Sequence, residues 1–166
     1  MLHSIKLILI TVLLVLINIC LCEDILRQNG AVLNVGTWFY WSDLAGNFFN
    51  ANYRDLVGSY GGSRLALCTD ANTCAMGGAA QYGTNYYILA ENDDCVSNHI
   101  GAPSSIVGFG VSCNRGYGAQ FAIFKFKDLV CLKYSDSYIK GRNQINPIGT
   151  KYETTKRPTC LPFLIH

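Results

Sequence analysis

A nearly unbroken apolar run from Leu7 to Cys20, preceded by Lys6 and ending in Cys20-Leu21-Cys22, constrains everything that follows it. A basic start, an apolar core of this length and small side chains at its end mark a cleavable secretory signal. The run is shorter than the ~20 residues a membrane-spanning helix needs. The acidic pair Glu23-Asp24 behind it is not the basic flank of a stop-transfer anchor. The chain is therefore expected to divide into a signal peptide over 1–22 and a single domain over 23–166, secreted and extracellular.

Two of the eight cysteines lie in the signal, which leaves Cys68, Cys74, Cys95, Cys113, Cys131 and Cys160. An even number in an oxidising compartment reads as three disulfides, with about fifteen connectivities open to six cysteines. Cys68 and Cys74 are close enough to close a small loop. A zinc site is the competing use of cysteine, but no Cys-x-x-Cys pair occurs, and His99 and His166 are the only histidines after the signal. No metal or other cofactor is expected.

Glu23 to Leu67 carries no cysteine and must be held by packing alone. About 140 residues suffice for one hydrophobic core, which the disulfides then reinforce. Charged residues make up 14% of the chain, against ~25% in an average soluble protein, and glycine and tyrosine are abundant. That balance describes a compact β-rich domain and not a disordered segment. The charge is also polarised. Glu23 to Asn114 has three basic and eight acidic residues, while Arg115 to His166 has nine basic and three acidic. Opposite halves can attract each other within one fold, or the basic half can meet an anionic membrane or a glycan. A nucleic-acid partner is not expected.

Ala31 to Trp41, with Trp38-Phe39-Tyr40-Trp41 at its end, is rich in strand formers. Ser42 is a plausible N-cap, and Leu44, Ala45, Phe48, Phe49, Tyr53, Leu56 and Val57 recur at three- and four-residue spacing, predicting one short helix near 43–57 stopped by Gly58. Strands are predicted over Arg64–Thr69, Tyr86–Leu89, Ser104–Cys113 and Ala119–Lys127, with Leu129–Tyr134 pairing to the last as a hairpin. Within Ala119–Lys127 the alternation gives an apolar face of Ala122, Phe124 and Phe126 and a face of Ile123, Lys125 and Lys127 that turns basic. From Lys140 onward the polar, proline-bearing chain reads as coil tied down by Cys160, and no internal repeat is legible. The fold class is mostly β, with α+β as the variant: antiparallel sheets, plausibly a β-sandwich, in one disulfide-stabilised domain.

Leu65-Ala66-Leu67-Cys68, the pair Gly77-Gly78, Ser104-Ser105-Ile106-Val107-Gly108 and Phe121-Ala122-Ile123-Phe124-Lys125 together resemble the order of a βγ-crystallin-type Greek key, over about residues 64–128. The resemblance implies a first strand leading to a fold-back glycine and a Ser-Ser strand closing the motif. Such domains often bind calcium just before the two serines. Here Ile100-Gly101-Ala102-Pro103 stands there without an acid, so no calcium site of that type is expected.

Candidate chemistry is sparse. His99 near Asp93 and Asp94 is the one local group able to support acid–base work, and would serve a small hydrolase. No Gly-x-Ser-x-Gly elbow or His-Glu-x-x-His helix accompanies it. In an extended Trp38–Trp41, Trp38 and Tyr40 share one face and Phe39 and Trp41 the other, so one pair can line the core while the other forms a stacking platform. Arg115 and Tyr117, in Arg115-Gly116-Tyr117-Gly118, and Lys125 and Lys127 complete the candidate binding residues; no catalytic residue is assigned. No Asn-x-Ser/Thr sequon follows the signal. The reading that results is a secreted, non-enzymatic binding protein, such as a defence effector, toxin or inhibitor. A small hydrolase and a structural matrix or coat component are the alternatives.

Overall fold

The computed structural model describes residues 22–51, 55–57, 62–70, 72–99, 106–112, 120–126, 129–142, 151–155, 160 and 162–166. Thirteen strands are assigned: β1 (Trp38–Phe39), β2 (Trp41–Asp43), β3 (Phe48–Asn50), β4 (Asp55–Val57), β5 (Leu65–Cys68), β6 (Asn85–Ala90), β7 (Asp94–His99), β8 (Ile106–Ser112), β9 (Gln120–Phe126), β10 (Leu129–Tyr134), β11 (Ser137–Arg142), β12 (Lys151–Thr155) and β13 (Phe163–Ile165). All pairings between them are antiparallel.

Six stretches close into a ring. β1 pairs β5, β5 pairs β6, β6 pairs β9, β9 pairs β10, β10 pairs β13, and β13 returns to β2. β1 and β2 are one extended run broken only at Tyr40, whose N–H and C=O both bond to His166. Three hairpins, β3–β4, β7–β8 and β11–β12, stand outside the ring. A six-stranded closed ring with three hairpins outside it is the β-trefoil pattern of pairings, a sheet closed on itself and not the two facing sheets of a sandwich.

The registers repeat three times around the barrel. Leu67 faces Ile88, Ile123 faces Leu132, and Ile165 faces Trp41. All six side chains are buried and form one layer of the core. A second layer comes from Phe39 facing Leu65, Tyr86 facing Phe121 and Val130 facing Phe163. Each fully buried apolar side chain of this size contributes about 1.5–3 kcal/mol relative to exposure. Trp41 is the centre of the aromatic packing, 4.4 Å from the ring of Phe163 and 5.9 Å from that of Phe49. Its indole Nε1 is buried without a hydrogen-bond partner.

An internal repeat of 47 residues therefore exists where none was legible. Asn34-Val35-Gly36-Thr37 matches Gln81-Tyr82-Gly83-Thr84. Both glycines have positive φ, and their N–H groups donate to Leu67 and Ile123, which are equivalent in the barrel. The segment before β1 lies against the end of the barrel where β1 and β6 begin. Ile25, Leu33, Val35 and Ala80 are buried there, with bonds from Ile25 to Ala80 and from Ala80 to Leu33.

Three expectations are corrected. No helix spans 43–57; β2, a turn and β3 occupy that stretch, with β4 beyond them. Asp43 Oδ1 accepts from the N–H groups of Ala45 and Asn47, and Gly46 adopts a positive φ, so the chain folds back before a helical turn can form. The chain after Lys140 is not simply coil, since β11, β12 and β13 run through it, and the last completes the barrel. In β9 the buried face is Phe121 and Ile123, not Ala122, Phe124 and Phe126. β7 was not anticipated at all.

Disulfides join Cys68 to Cys74 and Cys131 to Cys160, and Cys95 is also disulfide-bonded. Cys113 lies outside the described residues, as do the crystallin-type Ser104-Ser105 and the Ile100–Pro103 segment.

Candidate functional site

The alternation of an extended strand splits the aromatic run cleanly. Phe39 and Trp41 are each 1% exposed, whereas Trp38 is 42% and Tyr40 41% exposed. Two residues apart on one strand face, Trp38 and Tyr40 are separated by about 6.7 Å of backbone. Their neighbours are set by register. Tyr40 and His166 form a backbone pair, with bonds of 3.3 and 2.9 Å, so their side chains stand together on the outer face. On the other side, the register of Trp38 with Ala66 and Phe39 with Leu65 brings Arg64 next to Tyr40.

Arg64 ties this surface to the following strand. Its Cζ lies 5.7 Å from the centre of the Trp38 ring, and its Nε donates to Glu91 Oε2 at 2.8 Å. The hydrogen bond from Arg64 holds the Glu91 carboxyl below its ordinary range, and the same bond raises the Arg64 pKa. Both side chains are solvated, so the pair contributes little to stability. Its value is positional.

Arg27 makes three hydrogen bonds to this part of the barrel. Nη1 donates to the His166 carbonyl at 3.0 Å, and Nη2 to the Trp38 carbonyl at 3.0 Å and to Thr37 Oγ1 at 3.4 Å. One guanidinium thus pins both strands of the surface. Tyr40 meets the edge of Phe48, with centroids 6.3 Å apart at 88°, and Phe48 lies 5.3 Å from the His166 ring. His166 Nε2 is 2.8 Å from the hydroxyl of the buried Ser42, which fixes the imidazole. Gln28, Asn29 and His166 line an open depression of about 310 Å³ beside these rings.

The equivalent surfaces of the other two repeats are not open in this way. Tyr40 corresponds to Tyr87 and Cys131, Trp38 to Asn85 and Leu129, and His166 to Cys68 and Phe124. Cys68 stands opposite Tyr87 and bridges to Cys74, and Cys131 bridges to Cys160. Disulfides therefore occupy two of the three faces that the barrel makes available.

The remaining sequence candidates fall elsewhere. Lys125 is ion-paired with Glu23 and lies 5.1 Å from the centre of the Tyr82 ring, so its charge is locally compensated. Burial raises the Tyr82 pKa despite that cation. Lys127, Arg115 and Tyr117 are outside the described residues. Asp94 and His99 begin and end β7, which holds their backbones about 16 Å apart. Asp93 sits in the preceding turn at φ 63°, so the acid–base group suggested by sequence proximity is spread along a strand. Among the described residues no three His, Cys, Asp or Glu side chains cluster as metal ligands. Arg64, Glu91, Arg27 and His166 were missed as neighbours of Trp38 and Tyr40, because the barrel alone brings together residues up to 139 positions apart.

No protein-family profile matches the chain, and no curated protein matches it in sequence. Among solved structures it is similar to the crystal structure of a mutant of HCR/D, with a TM-score of 0.63 and 11% identity. The likeness covers 87% of this chain and 45% of that one, so the chain spans less than half the length of that structure. At that identity what the two share is a fold.

Proposed function

We propose that this chain is a secreted, non-enzymatic binding module that contacts an extracellular, surface-displayed partner through the outer face of its first barrel strand. The observation that carries the reading is the exposure of Trp38 and Tyr40 beside an otherwise buried aromatic strand. Large rings left in water on a rigid strand, with polar groups around them, are what a recognition surface requires. The basic strand is a weaker contact surface, because Lys125 is already paired with Glu23. Hydrolysis through His99 is weaker still, given the length of β7.

The test is binding of labelled protein to cultured cell surfaces, compared with the Trp38→Ala/Tyr40→Ala double variant. Loss of most binding with unchanged circular dichroism supports the reading. Full binding by the folded double variant defeats it.

A further inference from the structure

Resting on that reading, we propose that the Trp38–Tyr40 face is a single subsite for a neutral pyranose, with the Arg64–Glu91 pair recognising adjacent hydroxyls. Three observations lead there. The first is the shape of the aromatic surface. Two exposed rings, two residues apart on one strand face, present apolar surface to solvent, and the C–H face of a pyranose is the weakly apolar surface that stacks on indole or phenol without desolvating its hydroxyls.

The second is the polar rim. Arg64 donates through Nε to Glu91, which leaves its Nη hydrogens unspent among the described residues, beside a carboxylate able to accept more bonds. Side by side, a guanidinium donor and a carboxylate acceptor match the acceptor and donor ends of neighbouring hydroxyl groups. Gln28, Asn29 and His166 add amide and imidazole groups at the adjoining depression.

The third is charge. Arg64 is paired with Glu91, and Arg27 donates to the Trp38 and His166 carbonyls and to Thr37. An acidic sugar would bring its carboxylate beside Glu91, whose charge already faces Arg64, whereas hydroxyls meet the pair without that repulsion. The face suits an uncharged ligand. It is also single, because the second repeat has Asn85 in place of Trp38, and the third has Cys131, bridged to Cys160, in place of Tyr40.

The two tryptophans make the test direct, since Trp41 is buried and only Trp38 meets solvent. The mature protein with ¹⁵N-labelled indoles is titrated with methyl β-galactoside, methyl α-mannoside, N-acetylglucosamine, N-acetylneuraminic acid and glucuronic acid, with iodide quenching in parallel. At least one neutral sugar should shift the Trp38 indole signal alone, with a Kd on the order of 1 mM and one site per chain, and protect it from iodide. Glu91→Gln should weaken that binding ~10-fold by removing a charged acceptor, with the indole spectrum of the free protein otherwise unchanged. Silence from every neutral sugar at tens of millimolar, preference for the acidic sugars, or a second saturable site each overturns the proposal. If cell binding requires Trp38 and Tyr40 yet no sugar shifts Trp38, the contact surface stands and the pyranose assignment falls. If the double variant still binds cells, the contact surface itself is wrong.

Discussion

The two described disulfides form a matched pair for measuring what a cross-link does in this barrel. Cys131–Cys160 closes a separation of 29 residues and Cys68–Cys74 one of 6. In the chain-entropy model, removing them releases denatured-state entropy equivalent to roughly 3.6 and 2.2 kcal/mol respectively, a difference of about 1.4 kcal/mol. Packing losses nearly cancel in the comparison. Each bridge has one buried sulfur, on Cys131 or Cys68, and one half-buried partner, so alanine at both positions removes similar contacts. Urea unfolding should show a larger loss of stability relative to wild type for Cys131→Ala/Cys160→Ala than for Cys68→Ala/Cys74→Ala. Cys160 also tethers the chain entering β13, the strand that closes the ring, which adds to its expected cost. If the short bridge costs as much as the long one, loop entropy is not the source of the stabilisation. The reasoning would then have to move to strain or to residual structure in the unfolded chain.

Three further outcomes are expected. Gly36→Ala should cost at least twice Gly30→Ala in chemical denaturation: both have positive φ, worth about 1–2 kcal/mol to a Cβ, but a Cβ at Gly36 would lie 2.6 Å from the Ala75 carbonyl while Gly30 has open space. Trp41→Phe should fall within about 1.5 kcal/mol of wild type, since it removes a buried donor without a partner as well as packing, whereas Phe163→Ala should cost about 3–5 kcal/mol. The backbone N–H groups of Asn72 and Thr73 lower the Asp70 pKa, so its contribution to stability is present above the ordinary carboxylate range and lost as pH falls through its lowered value. Urea midpoints of wild type and Asp70→Ala should therefore differ at neutral pH and converge in acid; divergence in acid would reverse the assignment.

Strands with clean composition were legible in the sequence. Tyr86–Leu89, Leu129–Tyr134 and the described part of Ala119–Lys127 all fall on strands, and the last two pair as a hairpin. The missed elements are those whose pattern is too short or too polar to show a period. β2 and β3 have three residues each, and the apolar residues of two short strands and the turn between them imitate helical spacing. β12 reads Lys-Tyr-Glu-Thr-Thr and carries almost no apolar signal, since it belongs to a hairpin outside the barrel. The face of β9 was inverted because Lys125 lies in phase with the buried Phe121 and Ile123, at the end of the strand where the core gives way to solvent. Trp38 and Tyr40 could be named in advance as sharing a face, since strand geometry alone requires it. Which face met solvent could not, because that depends on the ring of pairings.

The closed ring of pairings also governs how such a sequence can change length. Every barrel strand is hydrogen-bonded on both sides, so inserting or deleting one residue within a strand shifts two registers together and turns buried side chains outward on both seams. An open sheet can absorb such a slip at its edge; this barrel has no edge to offer. The connections within the hairpins lie outside these six registers. Lineages sharing this architecture are thus expected to vary in length in those connections while keeping six strand registers fixed. Side chains can meanwhile be replaced freely as long as each layer stays apolar, which is how a fold can remain recognisable at 11% identity.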